Sequence, residues 1–417
     1  MRLSFFDNDS IAHASVEKSI KKLAAYRAQV KEVITQKNST VPEYSLVHAN
    51  SETLHDTLAT VTKQFKGIKH VVLVGIGGSS LGVEAVHSVL DTGVVKLTVL
   101  DTLAAYEIES LLKDLASLKK LSEIVVCVVS KSGNTAETLV NASILLSALK
   151  EARGQGIYKQ TLFIGNAGTD FMKVGKRLGA TCISMPDVVG GRYSVATEVG
   201  LIPLALLGHN VDAYIEGFLD AATEEIEEVV AQSAARIYQY IQKGYQHYNF
   251  FAFEKRLETL GAWYRQLYAE SLGKAVDKAG KPVNKGMLPS ITTAVELHST
   301  GQLYMSGFSG VYTDFVTFDD EQHDFNIPKQ GVAKAYGKFS IQEVTTAIYG
   351  GVIGVYNEKN LPYKTTIFED DVAYELGLFM ALRMKEIMYV AQLMDIHAFN
   401  QPDVELYKMK TKKILNI

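Results

Sequence analysis

Hydroxyl groups crowd two short stretches of this chain, each placed straight after an apolar run. The first is His70-Val-Val-Leu-Val-Gly-Ile-Gly-Gly-Ser-Ser-Leu-Gly82, and the second is Ile124-Val-Val-Cys-Val-Val-Ser-Lys-Ser-Gly-Asn-Thr-Ala-Glu-Thr138. Both read as buried strand, Gly/Ser loop and helix. Such a loop aims backbone N–H groups and hydroxyls at one point ahead of a helix N-terminus, which is where a phosphate binds. Ser79 from one loop and Ser130, Ser132 and Thr135 from the other are candidate ligands. Taken singly, a structural glycine turn or a Ser/Thr helix cap also explains each loop. In a doubly wound sheet of order 2-1-3, however, the two loops end neighbouring strands and meet at the topological switch point, where ligands bind.

The first loop does not fit a nucleotide motif. Gly75-x-Gly77-x-x-Ser80 lacks the third glycine of the dinucleotide fingerprint, although Asp101 could imitate its ribose-binding acid. Gly77-x-x-x-x-Gly82 has Walker spacing, but Val83-Glu84 stands where Lys-Ser/Thr is needed.

Other segments carry groups suited to proton transfer. In Val189-Gly-Gly-Arg-Tyr-Ser194 the paired glycines allow close backbone approach, and Arg192 can stabilise a developing oxyanion. Gln266 and Glu270 lie four apart on the helical run WYRQLYAES and so share a face; Glu270 is a candidate general base. His298, in Val295-Glu-Leu-His-Ser-Thr-Gly-Gln302, suits acid–base work near neutral pH. Lys408, in Val404-Glu-Leu-Tyr-Lys, would be an ordinary solvated lysine of a basic tail helix if read alone.

The elements that must position these groups follow from hydrophobic periodicity. An amphipathic helix is expected over 10–36. Strands at 71–75, 96–100, 124–129, 161–165 and 181–184 alternate with helices at 79–90, 104–115, 135–150 and 170–178, which is a βαβ series with a parallel sheet. A long helical stretch at 211–244 opens a second α/β unit with strands at 248–253, 311–318, 352–356 and 363–367 and helices at 256–272, 340–349 and 371–395. The tail, 403–417, reads as a short basic helix. The expected organisation is a helical segment over 1–45, α/β domains over 46–205 and 206–390, and a helical tail over 391–417.

Bulk properties narrow the partners. The chain has 417 residues, 47% of them apolar and 21% charged, with a net charge of −4; nucleic acid and anionic membrane are not expected as main partners. Its two cysteines, Cys127 and Cys182, fall in apolar runs and read as buried thiols. No metal-ligand spacing occurs, and the N-terminus lacks a signal-peptide core, so a cytoplasmic protein is expected.

The segments VGIGGSSLG, VVSKSGNTAET, GGRYS, QLYAESLGK, ELHSTGQ and NQPDVELYK, in this order over residues 70 to 410, resemble those of the glucose-6-phosphate isomerases in their shorter bacterial form. The first two also resemble sugar-phosphate-binding (SIS-type) domains in general; the set of six is specific. The resemblance implies an α/β fold of two unequal, SIS-type, doubly wound parallel-sheet domains, three layers each. It implies a homodimer, no cofactor, and interconversion of glucose 6-phosphate and fructose 6-phosphate in glycolysis and gluconeogenesis. By the same resemblance Ser79, Ser130, Lys131, Ser132 and Thr135 hold the phosphate, and Glu270 moves the proton between C2 and C1. Arg192 stands by the enediolate. His298 opens the ring from the partner subunit, Lys408 assists at the ring oxygen, and Gly78, Gln266 and Gln401 contact or order the site. The stretch from Lys274 to Gly286 and the following PSITTAVEL depart from the family pattern. Two other classes share the serine loops. A sugar-phosphate sensor could dispense with Glu270, His298 and Lys408. The isomerase half of an amidotransferase needs an N-terminal cysteine nucleophile, and none precedes Cys127.

Overall fold

Strands that are near-continuous apolar runs must be covered on both faces, and the two that end at the serine loops are. A computed structural model describes residues 1–306, 308–319 and 324–416. Its first sheet contains β2 (His70–Val74), β3 (Lys96–Leu100), β4 (Ile124–Val129), β5 (Thr161–Gly165) and β6 (Thr181–Ser184), in the order β3-β2-β4-β5-β6 and all parallel. Every residue of β2 and β4 is buried. Their side chains alternate between two cores: Val72, Val74, Val126 and Val128 face the helices Ala105–Ala116 and Ala136–Arg153, while Val71, Leu73, Val125 and Cys127 face the rest of the molecule.

The second sheet contains β1 (Arg2–Phe6), β7 (His247–Ala252), β8 (Leu288–Thr293), β9 (Val311–Phe318) and β10 (Tyr363–Phe368), in the order β1-β10-β9-β7-β8. Four strands are parallel and repeat the 2-1-3-4 order of the first sheet; β1 joins the far edge antiparallel to β10. One apolar core runs from the inner face of the first sheet to that of the second, where Tyr248, Phe250, Tyr312 and Val316 contribute to it.

Several elements differ from the reading of the sequence. Residues 2–6, placed in a helical segment, form β1. The helix expected over 10–36 is divided at Leu23 into His13–Lys22 and Ala24–Gln36, and that over 211–244 is divided into Val211–Asp220 and Glu224–Gln242. Residues 352–356 are not a strand. They belong to the helix Ile341–Glu358, which a Ser340/Glu343 capping box starts. β8 was not anticipated; it lies on the sheet edge, where the missing N–H of Pro289 is tolerated. The tail helix runs Pro402–Leu415, and residue 417 lies outside the described residues. Cys127 is buried, which pushes its thiol up to about 12, whereas Cys182 is only half-buried.

Four charges lie fully buried on the inner face of the second sheet. Arg383 bonds Asp314 of β9 at 2.8 Å and Glu386 at 3.1 Å, and Lys364 of β10 donates to Glu386 at 2.7 Å. Burial alone would raise the Glu386 carboxyl, but Lys364 and Arg383 outweigh it and hold the group at about 2. Tyr248 donates to Asp314 at 2.6 Å and Tyr264 to Glu386 at 2.8 Å. The network thus ties strands β7, β9 and β10 to the helices Val372–Leu393 and Glu258–Leu272. Removing Arg383 leaves two buried carboxylates, Asp314 and Glu386, sharing the one ammonium of Lys364, so Arg383→Met should lower unfolding free energy in urea titrations by about 3–5 kcal/mol, whereas a loss under about 1 kcal/mol would show the arginine to be dispensable.

Candidate active site

The serine loops follow β2 and β4, which are neighbours, so both open at the same end of the sheet. Behind them stand the helices Leu81–Leu90 and Ala136–Arg153. Neither has a side-chain cap, whereas Thr169, Thr197, Ser340 and Asp371 cap the helices that follow them. Thr135 is therefore not used as a cap; its hydroxyl accepts from Ser130 at 3.4 Å. Ser130 is buried and also accepts the Gly133 N–H at 3.1 Å, and the exposed Ser132 accepts that of Asn134 at 3.3 Å. The hydroxyls face inward on their own loop, and the first-turn N–H groups of both helices keep no side-chain acceptor.

Glycine lets further segments approach. A Cβ on Gly78 would lie 2.1 Å from the carbonyl carbon of Gly191, and Ser194 donates to the Gly78 carbonyl at 3.3 Å. Gly77 adopts φ +61°, and a Cβ there would meet the Gln266 amide at 2.8 Å. Lys131 is half-buried; burial lowers its amine, with Asp187 opposing and Arg192 adding to the effect. The two serine loops, the Arg192 turn and the helix Glu258–Leu272 therefore converge.

Arg192 is 3% exposed and organises the centre. Its Nε donates to the Ser271 hydroxyl at 2.8 Å. Its Nη1 donates to Glu270 Oε2 at 3.0 Å and to Gln401 Oε1 at 2.9 Å, and its Nη2 to the carbonyls of Ala398 at 2.5 Å and Asn400 at 3.2 Å. Gln266 Nε2 donates to the other Glu270 oxygen at 3.1 Å. The Glu270 side chain keeps 32% exposure, so it stays open to a ligand lying beside the serine loops.

Two expected members stand apart. His298 is exposed on the turn Ala294–His298 after β8, and among the described residues no hydrogen bond or ion pair joins it to this cluster. Lys408 pairs with Glu405 of its own helix at 2.8 Å. That helix, Pro402–Leu415, buries no residue and exposes Leu406, Tyr407, Met409, Ile414 and Leu415. Conversely, Ser271, Lys274 and the carbonyls of Ala398 and Asn400 belong to the cluster without having been singled out. Arg192 and Lys274 each make two contacts to backbone carbonyls, which every residue carries, so residue type gives no signal for them.

The whole chain, residues 1–417, matches the family model of phosphoglucose isomerase. It is 30% identical over 362 residues to a glucose-6-phosphate isomerase of Pediococcus pentosaceus, covering 81% of this chain and 78% of that one. It is 26% identical over 412 residues to that of Campylobacter jejuni, covering 96% and 98%. Among solved structures it superposes on a hypothetical protein of Thermus thermophilus with a TM-score of 0.84 at 25% identity, covering 99% and 100%. It superposes on a glucose-6-phosphate isomerase of Chlamydia trachomatis with a TM-score of 0.81 at 16% identity, covering 99% and 88%.

The contact between Gly78 and Gly191 is backbone on backbone and cannot yield by a side-chain rotation. Gly78→Ala should displace the Arg192 turn and lower stability by about 1–3 kcal/mol in thermal unfolding, while Gly286→Ala, where a Cβ meets nothing, should stay within about 0.5 kcal/mol of the unaltered chain. Equal effects at both sites would refute the close-approach argument.

Proposed function

The chain belongs to the phosphoglucose isomerase family, and from that premise we propose that it interconverts glucose 6-phosphate and fructose 6-phosphate with Glu270 as the base. The observation that carries this reading is the arrangement of Glu270. One oxygen is held by Arg192 and the other by Gln266, on a partly open face beside two hydroxyl-lined loops.

The residues divide the reaction between them. Ser79, Ser130, Ser132 and Thr135, with Lys131 and the uncapped helix N-termini, bind the phosphate. That group does not react, so its binding energy fixes orientation at the sugar's other end. Ring opening needs a proton added at the ring oxygen and one taken from the anomeric hydroxyl; His298 and Lys408 have the chemistry for it. Glu270 then takes the proton from C2 of the open aldose, and the electron pair moves toward the C1 carbonyl oxygen. The resulting enediolate is stabilised by Arg192, a cation that cannot give up its proton. The O2 hydroxyl proton passes to O1, and Glu270 returns its proton to C1 as the C2–O2 carbonyl forms, which yields the ketose. Gly78 lets the Arg192 turn close on the first loop, and Gln266 and Gln401 hold Glu270 and Arg192 in register.

His298 acts from a second copy of the chain in this reading. Its exposure, its separation from the Arg192 cluster and the apolar side chains along Pro402–Leu415 support a homodimer in which His298 of each copy completes the other's site.

Turnover of fructose 6-phosphate by the purified protein is the primary test. Glu270→Gln should reduce kcat roughly 10²–10⁴-fold with KM nearly unchanged. Ser132→Ala should chiefly raise KM, because it removes binding shared by ground and transition states. Binding of fructose 6-phosphate without turnover would favour a sugar-phosphate sensor instead. A mixing experiment tests the shared site. Refolded together, the inactive Glu270→Gln and His298→Ala chains should recover about a quarter of normal turnover, since half the dimers then hold one intact site. No recovery would place both groups within one chain.

A further inference from the structure

The last carbonyls of a helix lack intrahelical partners, and the helix Glu258–Leu272 ends at the residues that matter most. Gly273 turns the chain sharply there; its N–H still bonds the Ala269 carbonyl at 2.9 Å, and a Cβ on it would meet that oxygen at 2.6 Å. The turn brings Lys274 back over the helix end. Its Nζ donates to the carbonyl of Glu270 and, at 2.7 Å, to that of Asn400. Asn400's carbonyl also accepts from Arg192, which in turn holds the Glu270 carboxylate. The contacts close a ring: Glu270 backbone, Lys274, Asn400, Arg192, Glu270 side chain.

We propose that Lys274 is a positioning residue for Glu270: its ammonium ties the helix end that carries the carboxylate to the 398–401 segment that holds Arg192. The tie spans 126 positions of sequence between Lys274 and Asn400. A cation at a helix C-terminus is also favoured by the helix dipole. Without it, the two carbonyls lose a shared charged donor, and the helix end and the segment can separate while Arg192 still grips both. The kinetic consequence rests on the isomerase reading; the structural one does not.

Three charged groups face the ammonium. Burial, the largest effect, and Arg192 push the amine down to about 8, against the opposing pull of Glu270 on its own helix and Asp403 of Pro402–Leu415. The tie is therefore charged below that pH and weakened above it, because charge-assisted hydrogen bonds are about twice as strong as neutral ones.

The test compares the unaltered protein with Lys274→Met and Lys274→Arg in two measurements: kcat and KM for fructose 6-phosphate from pH 6 to 9, and amide hydrogen exchange over 398–401. The unaltered enzyme should lose turnover on an alkaline limb near pH 8. Lys274→Met should show kcat reduced roughly tenfold at neutral pH, as for a small misplacement of a reacting group, with KM little changed, no limb near pH 8, and faster exchange over 398–401. Lys274→Arg should keep most of kcat and carry the limb to higher pH, since its guanidinium stays charged. Normal kcat in Lys274→Met, or an unmoved limb in Lys274→Arg, overturns the inference. If the unaltered protein does not turn over, the isomerase reading fails by itself, and exchange decides: faster exchange in Lys274→Met upholds the tie, and unchanged exchange removes it.

Discussion

A guanidinium carries five N–H donors and keeps its charge, so a buried arginine dictates its surroundings. Arg192 has five acceptors: one hydroxyl, one carboxylate, one amide and two carbonyls. They come from two stretches of chain, 78 to 79 and 206 to 209 positions away. Leaving any of these donors unmet would cost about 1–3 kcal/mol, so burying Arg192 draws the helix Glu258–Leu272 and the 398–401 segment in around it. The glycines at 77 and 78 then let the first serine loop close on the same point.

The two sheets share a strand order but do different work. In the first, the loops after β2 and β4 are rich in glycine and hydroxyl residues, with uncapped helices behind them. In the second, the corresponding loop after β7 reads Phe253-Glu254-Lys255-Arg256, and the buried polar groups lie instead under the strands, in the Asp314–Arg383–Glu386–Lys364 network. The first sheet carries the serine loops at its strand ends. The other anchors the helix that brings Glu270 to them, through the Tyr264 hydroxyl on Glu386.

How much of this was legible in the sequence depends on what each residue does. The first sheet was, because strands buried on both faces are continuous apolar runs bounded by glycine and serine. The edges of the second sheet were not: Leu288–Thr293 contains a proline and three hydroxyl residues, and Arg2–Phe6, RLSFF, has its apolar run broken by a serine and opened by an arginine. Val352–Tyr356 is β-branched and aromatic, so its run alone cannot distinguish strand from helix; the Ser340/Glu343 box twelve residues upstream is the signal that does. In the site, Arg192, Glu270 and Gln266 were legible as side chains of suitable chemistry. Lys274 was not, because its partners are carbonyl oxygens and its place depends on a turn at Gly273.

Burial sorts the cluster into fixed and open parts. Arg192 is buried and held by five protein acceptors, so its charge is fixed in place beside Glu270. Glu270 is one-third exposed and held by one donor on each oxygen, so an incoming hydroxyl or C–H can compete for it. Its helix is pinned from inside by Tyr264 and at its end by Lys274. The carboxylate can therefore exchange partners while its backbone stays in place, the combination that the base proposed above would use.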